Sequence, residues 1–591
     1  MATSNGVNQE LAKIFLEMSE FLAMQEAAFK PRAYEKAARA IEELKEDAAE
    51  IYQKEGLKGL EKISGVGKGI ARRIEEFVKT GRIRDYERFK KEMPVDISGL
   101  TSIQGVGPKT IKTLYKKLKI KNVKDLEKAA KAGKLKNLPG FGEKIEQKIL
   151  QGIEFQAGFH GRMNIGLALP IARKIIDFLK KIPGVSRVEV AGSLRRWQES
   201  VGDLDFLVIS SKSEAVMTKF TAMPEVEHVY ARGQTKTMVR LSGGIDADVR
   251  VLPPESFGAA LQYFTGSKDH NVELRKIAIS KKYKLNEYGL FKSRKLAAGR
   301  DEKEIYSKLG LDWMPPELRT ASGEIEAARF HRLPDLIGYG DIKGDLQIQT
   351  NWTDGANSIE EMAQEAKRLG LEYIAITDHT KSLAITGGSD EKKLLRQMVI
   401  IDKINSKLQS ANWRTNSKFK ILKGAEVNIL KDGSLDIKDE VLVKLDVAGA
   451  AIHSHFNLSE KEQTERLIKT MSNRHIDIIF HPTGRLLQKR EPIKLDFDKV
   501  FKTAAETGTM LEINAHPWRL DLNGELVRAA KKYGVRFMIN TDAHSAADLA
   551  YMEYGIAQAR RGWAEKSDIV NTLPLKKLME LFKKPKTGRY L

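Results

Sequence analysis

Cysteine is absent from the 591 residues of this chain. That excludes disulfides, thiolate nucleophiles and thiolate metal sites, so any metal must be held by His, Asp, Glu or weaker ligands. Also missing is any run of roughly 18 consecutive apolar residues, and Met1 to Met24 lacks a basic segment followed by an unbroken apolar stretch. A soluble, cytoplasmic protein without a membrane partner is therefore expected, nucleoid-associated if the source is prokaryotic. Acidic charge is in short supply: 79 Asp and Glu stand against 100 Lys and Arg, a formal charge of +21. Such an excess points to a polyanionic partner, nucleic acid first. Hydrophobic residues make up 41% of the chain, enough for packed cores, and at roughly 150 residues per domain the length implies about four of them.

Apolar residues at helical spacing, from Leu11 to Leu22 and again from Tyr34 to Leu44, predict a small helical domain at the start. Three motifs then recur: Ile63-Ser64-Gly65-Val66-Gly67-Lys68, Ile103-Gln104-Gly105-Val106-Gly107-Pro108-Lys109, and Leu138-Pro139-Gly140-Phe141-Gly142-Glu143-Lys144. Each is an apolar residue, a Gly-x-Gly turn and a helix start, where exposed amides can meet a phosphate. Arginine is missing from residues 101–150, where 13 lysines oppose 4 acidic residues. Lysine acts as a phosphate-directed point charge, so salt-dependent backbone binding is expected there. The three motifs resemble helix-hairpin-helix elements, which bind DNA without reading its sequence. That resemblance implies DNA contacts at Gly65, Gly67, Gly105, Gly107, Lys109, Gly140, Gly142 and Lys144.

The run Val188 to Ile209 reads as a strand, a turn at Gly192-Ser193, two arginines, and a second strand opening on Gly202-Asp203-Leu204-Asp205-Phe206. Strand side chains alternate, so Asp203 and Asp205 share a face while Leu204 and Phe206 point into a core. Paired carboxylates beside arginines suit divalent metals that carry phosphate. A third carboxylate is expected from Gly244 to Leu252, where Asp246, Asp248 and Arg250 share a face; alternation alone does not choose between Asp246 and Asp248.

Together with Tyr263-Phe264-Thr265-Gly266-Ser267, these residues resemble the nucleotidyltransferase core of a family X DNA polymerase, DNA polymerase beta-like. The resemblance picks Asp248 as the third ligand. It implies Mg²⁺ or Mn²⁺ on the catalytic trio Asp203, Asp205 and Asp248, with triphosphate contacts from Ser193, Arg196 and Arg162. Tyr263, Phe264 and Gly266 would lie beside the sugar, and Asn271 and Arg275 on the minor-groove side of the nascent pair. Lys268 falls where relatives carry an acidic residue. Where relatives with lyase activity place a Schiff-base lysine, this chain has Arg73, whose guanidinium stays protonated and is no such nucleophile. Lys36 and Lys68 are the remaining substitutes.

After a polar, proline-punctuated stretch from Arg319 to Gly340, apolar strands repeatedly end in ligand-type residues and lead into helical patterns. This is where a (β/α) barrel builds its site. The spacing resembles the PHP phosphoesterase family, a distorted barrel. The implied ligands for Zn²⁺ or Mn²⁺ are His379, Glu426, His453, His481, Asp542 and His544, with Asp354 as a further member and Arg485 and Arg519 as phosphate contacts. Where the family has a His-x-His strand, this chain reads Gln347-Ile348-Gln349. Glutamine is the poorer ligand, so at least one metal position is expected to be weakened, with His455 or His516 as compensating histidines.

The fold expectation is a multidomain α and α/β chain. A helical lyase-like domain with the first hairpin spans 1–85, a second hairpin domain 86–155, and a nucleotidyltransferase palm with a mixed sheet 156–257. A nucleotide-selecting thumb-like domain follows at 258–325, a linker at 326–340, a PHP barrel at 341–575 and a basic tail at 576–591. The functional expectation is a template-directed polymerase, working as a monomer on gapped or primer-template DNA with dNTPs and filling short gaps in repair. Its barrel would carry 3′-5′ exonuclease or 3′-end processing weakened by Gln347 and Gln349. Two alternatives remain at this point: a template-independent nucleotidyltransferase, and an enzyme whose main work is hydrolysis in the barrel.

Overall fold

The computed structural model describes residues 6–25, 30–42, 44, 46–63, 65–101, 103, 106–138, 140–158, 161–410 and 419–589. It comprises a helical unit built on residues 1–160 and a second built on 161–354, 359–487 and 491–591.

In the helical unit, Leu11, Phe15, Met18 and Phe21 of helix Gly6–Met24 pack with Tyr34, Ala37, Ala38 and Ile41 of helix Lys30–Glu42. Phe15 meets Tyr34 edge-on at 5.5 Å. Apolar residues on one face of helix Lys68–Thr80 (Ile70, Ala71, Ile74, Phe77) join the same core. Side-chain caps start two of the helices: Asp47 accepts from the Ala49 amide and Asn122 from the Asp125 amide, each satisfying an otherwise orphaned N–H.

The second unit opens on helix Ile165–Lys180, packed on a five-stranded mixed sheet. Its strand order is Val185–Val190, Asp203–Ser210, Asp246–Val251, Lys236–Leu241, Val226–Arg232. Only the Asp203–Ser210 and Asp246–Val251 pair is parallel. Helices Phe257–Thr265, Lys268–Ser280 and Glu302–Lys308 then surround a three-stranded antiparallel sheet. A wholly buried Arg319 ties this region together through Glu302 (2.7 Å) and the Met314 carbonyl (2.9 Å).

Seven parallel strands follow, from Gly344–Ile348 to Phe537–Asn540, ordered as they occur in the chain. The first and last nearly close the ring: the Gln349 amide donates to the Ala543 carbonyl at 2.8 Å, and Leu346 N donates to Asn540 Oδ1 at 3.0 Å. These strands are near-continuous runs of buried residues, as a parallel barrel wrapped by helices requires. The helical hairpin domains, mixed palm sheet and (β/α) barrel expected from sequence are thus present.

Two stretches differ from their sequence reading. Residues 319–340 connect the thumb-like region to the barrel, but they are packed: they contain helix Glu324–Arg329, with Arg319, Glu324 and Ile337 fully buried. A polar stretch hides because its charges are paired, Glu324 with His270 at 2.7 Å and Arg319 with Glu302. The basic tail also folds back. Lys586 donates to the Met471 carbonyl at 2.8 Å and Arg589 pairs with Asp477 at 2.6 Å.

In the barrel strand Val447–Ala451, a Cβ on Gly449 would lie 2.0 Å from the Phe480 ring. Gly449→Ala is expected to cost about 1–3 kcal/mol through overpacking, read as a lower midpoint in thermal unfolding.

Candidate active sites

Strand Asp203–Ser210 buries Leu204 and Phe206 completely and leaves Asp203 and Asp205 on the opposite face. Its parallel neighbour sets Asp246 opposite Asp203 and Asp248 opposite Asp205. Asp246 is ion-paired with Arg240 at 2.8 Å, whereas Asp248 has only longer contacts, 3.5 Å to Arg250 and 3.6 Å to Lys236. Burial, followed by repulsion from Asp203 and Asp248, pushes the Asp205 carboxyl up to about 7. Such a cluster of acids invites cations.

Gly192 approaches this cluster with φ +63, and a Cβ there would lie 2.5 Å from Asp205 Oδ2. Both the left-handed backbone and the close approach require glycine. The short helix Gly192–Arg195 then presents Ser193. Arg196 follows; its Nη1 donates to the Thr265 carbonyl, and burial lowers its guanidinium to about 10. Arg162 donates from Nε to Ser200 Oγ at 2.9 Å and lies against Gly202. Gly266 sits directly below Arg196, 3.1 Å from Nη1 to its would-be Cβ. Tyr263 and Phe264 pack edge-to-face at 5.1 Å, and the Phe264 ring lies under Arg250 at 4.4 Å. Asn271 donates to the Tyr263 carbonyl at 2.7 Å and accepts from Gln262 at 2.7 Å, so it pins this turn. Arg275 is half-buried on the same helix as Asn271 and has no hydrogen-bond or ion-pair partner among the described residues; Lys268 is exposed.

In the helical unit, Gly67 and Gly107 are helix N-caps in extended conformation, and space is open where a Cβ would stand on Gly67, Gly107 or Gly142. Gly65 and Gly140 take positive φ, +82 and +80. Lys109 follows Pro108 in the first turn of helix Pro108–Leu118. Gly105 and the Lys144 side chain lie outside the described residues. Arg73 is locked by Asp85 (2.5 Å) and the Gly69 carbonyl (2.8 Å) and lies over the Tyr34 ring at 5.7 Å.

In the barrel the strand ends converge. Glu426, fully buried, lies 2.8 Å from His481 Nε2, 3.1 Å from His453 Nε2 and 3.3 Å from His379 Nδ1. Burial opposes its ionisation, yet the histidines outweigh that and hold the carboxyl well below its usual range. The other face of His379 meets Asp354 at 3.6 Å, and Asp354 lies 3.7 Å from His544 Nε2. Two groups therefore have ligand atoms within 4.8 Å of one another: Asp354, His379 and His544, and His379, Glu426 and His453. Both are in the barrel.

The donor chemistry fits a cation. His453 Nδ1–H donates to Asn428 Oδ1 at 2.8 Å and burial keeps the ring neutral, which leaves its Nε2 lone pair facing inward. His544 Nδ1–H donates to the Asp542 carbonyl at 2.8 Å, and although burial opposes it, Asp354 and Asp542 raise that imidazole, so positive charge is favoured beside Asp354. Burial, with Arg519 adding, lowers His481 to about 4 and keeps it neutral. His379 Nδ1, His453 Nε2, His481 Nδ1 and Asp354 Oδ1 are buried without a hydrogen bond among the described residues. Asp542 sits apart from both groups: Arg519 pairs with it at 2.8 Å and Asn514 donates to it at 3.2 Å.

Gln347 and Gln349 are buried in the same centre. Gln349 Nε2 donates to Glu426 at 2.6 Å, and the Gln347 amide faces Glu512, donating at 2.7 Å in the orientation that satisfies its neighbours. Four sequence readings shift here. Arg485 and Arg519 are not free for phosphate, since Glu199 engages the first and Asp542 the second. His455 is exposed, and His516 packs on Tyr551 at 5.4 Å, so neither joins the ligand groups. Sequence reasoning missed Glu512, Asn514 and Asn540, an amide and carboxylate network whose strand-end placement was its only signal.

Known families match along the chain: a helix-hairpin-helix domain at 7–83, a SAM-like helix-hairpin-helix tandem at 97–154, the DNA polymerase beta thumb at 260–320 and a PHP domain at 345–533. With a relative 37% identical along almost its whole length, the chain belongs to the family X DNA polymerases that carry a C-terminal PHP domain. That relative is the DNA polymerase/3′-5′ exonuclease PolX of Bacillus subtilis (strain 168), aligned over 560 residues, 94% of this chain and 95% of its own. A probable phosphatase of Caldanaerobacter subterraneus subsp. tengcongensis is similar over a shorter stretch, 31% identical over 34% of this chain and 75% of that protein. A probable phosphatase of Thermoanaerobacter sp. (strain X514) is 28% identical over 39% and 89% respectively.

Titrating metal-free protein with Mn²⁺ is expected to raise its thermal midpoint, because a ligand held by the folded state alone stabilises it. His453→Ala should reduce the number of ions bound in calorimetry by at least one.

Proposed function

We propose that this chain is a template-directed DNA polymerase that adds dNTPs to a primer 3′-hydroxyl, filling short gaps in DNA repair. The observation that carries the reading is the pairing of Asp205 with Asp248 on adjacent parallel strands, capped by Gly192 and flanked by Ser193 and Arg196. In this reading Asp203, Asp205 and Asp248 hold two divalent ions, Mg²⁺ or Mn²⁺, which when bound activate the 3′-hydroxyl and neutralise the triphosphate and leaving pyrophosphate. Ser193 and Arg196 contact the β- and γ-phosphates, and Arg162 lies at the edge of the same site. Tyr263 and Phe264, held by Asn271, exclude a 2′-hydroxyl; Gly266 leaves room for the sugar. Arg275 is free to reach the minor-groove edge of the new pair. The Gly-x-Gly helix starts and their lysines grip the DNA backbone.

The template-independent alternative is disfavoured by the helical hairpins and the Tyr263–Ser267 turn, which serve to hold a duplex and select a base. Barrel hydrolysis is a second activity in this reading, acting on DNA 3′ ends through one or two metals, Zn²⁺ or Mn²⁺. It is weakened because Gln347 and Gln349 stand where imidazole would give a stronger ligand, and because Asp542 is engaged by Arg519. A Schiff-base lyase step is not part of the reading, given Arg73.

Asp203→Ala is expected to cut incorporation of a single dNTP on a matched template by roughly 10³-fold, since several kcal/mol of charge stabilisation is lost. DNA affinity in a gel-shift titration should not change; retained incorporation would remove these aspartates from the mechanism. Gln347→His with Gln349→His should increase both bound Mn²⁺ and the rate of 3′ degradation in the Asp203→Ala background. No gain in either would place the limit on the barrel elsewhere.

A further inference from the structure

The segment Gly192–Gly202 opens on the Ser193 turn and leads into strand Asp203–Ser210, and it is held from two sides. Arg195 reaches Glu302 at 2.7 Å and Thr265 Oγ1 at 2.6 Å, both from the polymerase's own thumb-like region. The other grip comes from the barrel. Arg485 forms a two-pronged ion pair with Glu199, at 2.5 and 3.1 Å, and both side chains are largely buried. Arg561 donates to the Arg196 carbonyl at 3.0 Å and Gln558 to the Trp197 carbonyl at 3.4 Å. Trp197, in the left-handed region at φ +53, has its ring between Tyr339 (5.9 Å) and Tyr554 (5.8 Å). Barrel residues Leu487, Leu520 and Tyr554 belong to the hydrophobic core under the palm sheet.

Arg485 is rigid in its turn. Its Nε donates to the Arg519 carbonyl at 2.9 Å and Nη2 to the Leu520 carbonyl, while the Thr483 amide is held by Asp521 at 3.0 Å. Glu199 is fixed at its backbone, where its carbonyl accepts from Ile165 N at 3.1 Å. A bidentate pair between two anchored residues sets position and orientation at once, and burial keeps water from competing for it. A non-glycine residue at positive φ persists only where its surroundings over-determine it, and Trp197 meets that condition through Tyr339 of the connecting stretch and Tyr554 and Gln558 of the barrel.

We infer that the barrel is a working part of the polymerase: Arg485 and Glu199 are positioning residues that set the Gly192–Arg196 turn for the incoming nucleotide's triphosphate. The inference rests on that turn being the phosphate site. It goes beyond that reading in making the barrel necessary for nucleotide affinity regardless of any hydrolysis the barrel performs.

The test is steady-state single-nucleotide gap filling with the full chain, which separates KM for dNTP from kcat, alongside the Kd for DNA. Glu199→Gln keeps the shape and removes the charge; Arg485→Gln removes the partner. Each should raise KM for dNTP roughly tenfold to a hundredfold, the scale of a sub-ångström to ångström misplacement, with the Kd for DNA unchanged. The charge-reversed double variant Glu199→Arg with Arg485→Glu should recover much of the lost affinity. An unchanged KM in both single variants overturns the inference, as does a folded double variant that keeps the raised KM. If the double variant does not fold, the isosteric Glu199→Gln decides alone. Ser193→Ala and Arg196→Ala separate the two levels of the argument. If neither raises KM, the phosphate-site reading fails; if they raise it and Glu199→Gln does not, only the barrel's role fails.

Discussion

The parallel pairing of strands Asp203–Ser210 and Asp246–Val251 is the constraint on which the polymerase half depends. It brings Asp205 beside Asp248 with Asp203 close by, on a sheet whose reverse face is packed hydrophobic core. Burial disfavours the charged carboxylate and repulsion from Asp203 and Asp248 adds to it, which is why Asp205 is pushed up to about 7. The surrounding residues answer that cost. Gly192 lets the backbone come within contact of Asp205, Arg250 and Lys236 flank Asp248, and Arg240 draws off the charge of Asp246. What stays uncompensated is the space in front of Asp203, Asp205 and Asp248, where positive charge is most stabilising.

The barrel solves a related problem with different chemistry. Glu426 is surrounded by three imidazoles and one amide, which together favour its charge despite burial. At Asp542 the protein supplies a cation of its own, Arg519. A guanidinium is permanently charged and planar, so it neutralises a carboxylate without needing the tetrahedral or octahedral donor set a metal demands. Thus within one ring of strand ends the Glu426 side has ring nitrogens without a hydrogen bond among the described residues, and Asp542 is paired with Arg519. That asymmetry is a property of this chain's own residues, and it agrees with Gln347 and Gln349 standing in the first strand.

What could be read from sequence divides along the range of the interaction. The alternation that puts Asp203 and Asp205 on one face is local, and so are the Gly-x-Gly helix starts and the strand-end histidines; all were legible. The choice between Asp246 and Asp248 was not, because it depends on register against a strand some forty residues away, and only the family resemblance made it. Arg485 was misread as a phosphate contact since its partner, Glu199, is 286 residues distant. Residues 319–340 looked like an exposed linker because polar composition signals solvent; the partners that let Arg319 and Glu324 be buried, Glu302 and His270, are in earlier helices. In each case the missing information was a non-local contact, a strand register for Asp248 and charge pairings for the others, which neither composition nor periodicity encodes.

The misreading of Arg485 has a structural consequence. Residues His481 to Arg485 form one short turn with His481 at the barrel's ligand cluster and Arg485 on the palm loop. Arg485 also holds the carbonyl of Arg519, whose side chain neutralises Asp542. The turn is short and packed at both ends, so a shift that suits one end must be accommodated at the other. A domain tethered only by a flexible linker could vary its own site freely, whereas this barrel shares a rigid turn with the polymerase it adjoins. Glutamines at 347 and 349 are compatible with an intact barrel, whose scaffold carries Arg485, Gln558 and Arg561 to the Gly192–Gly202 loop.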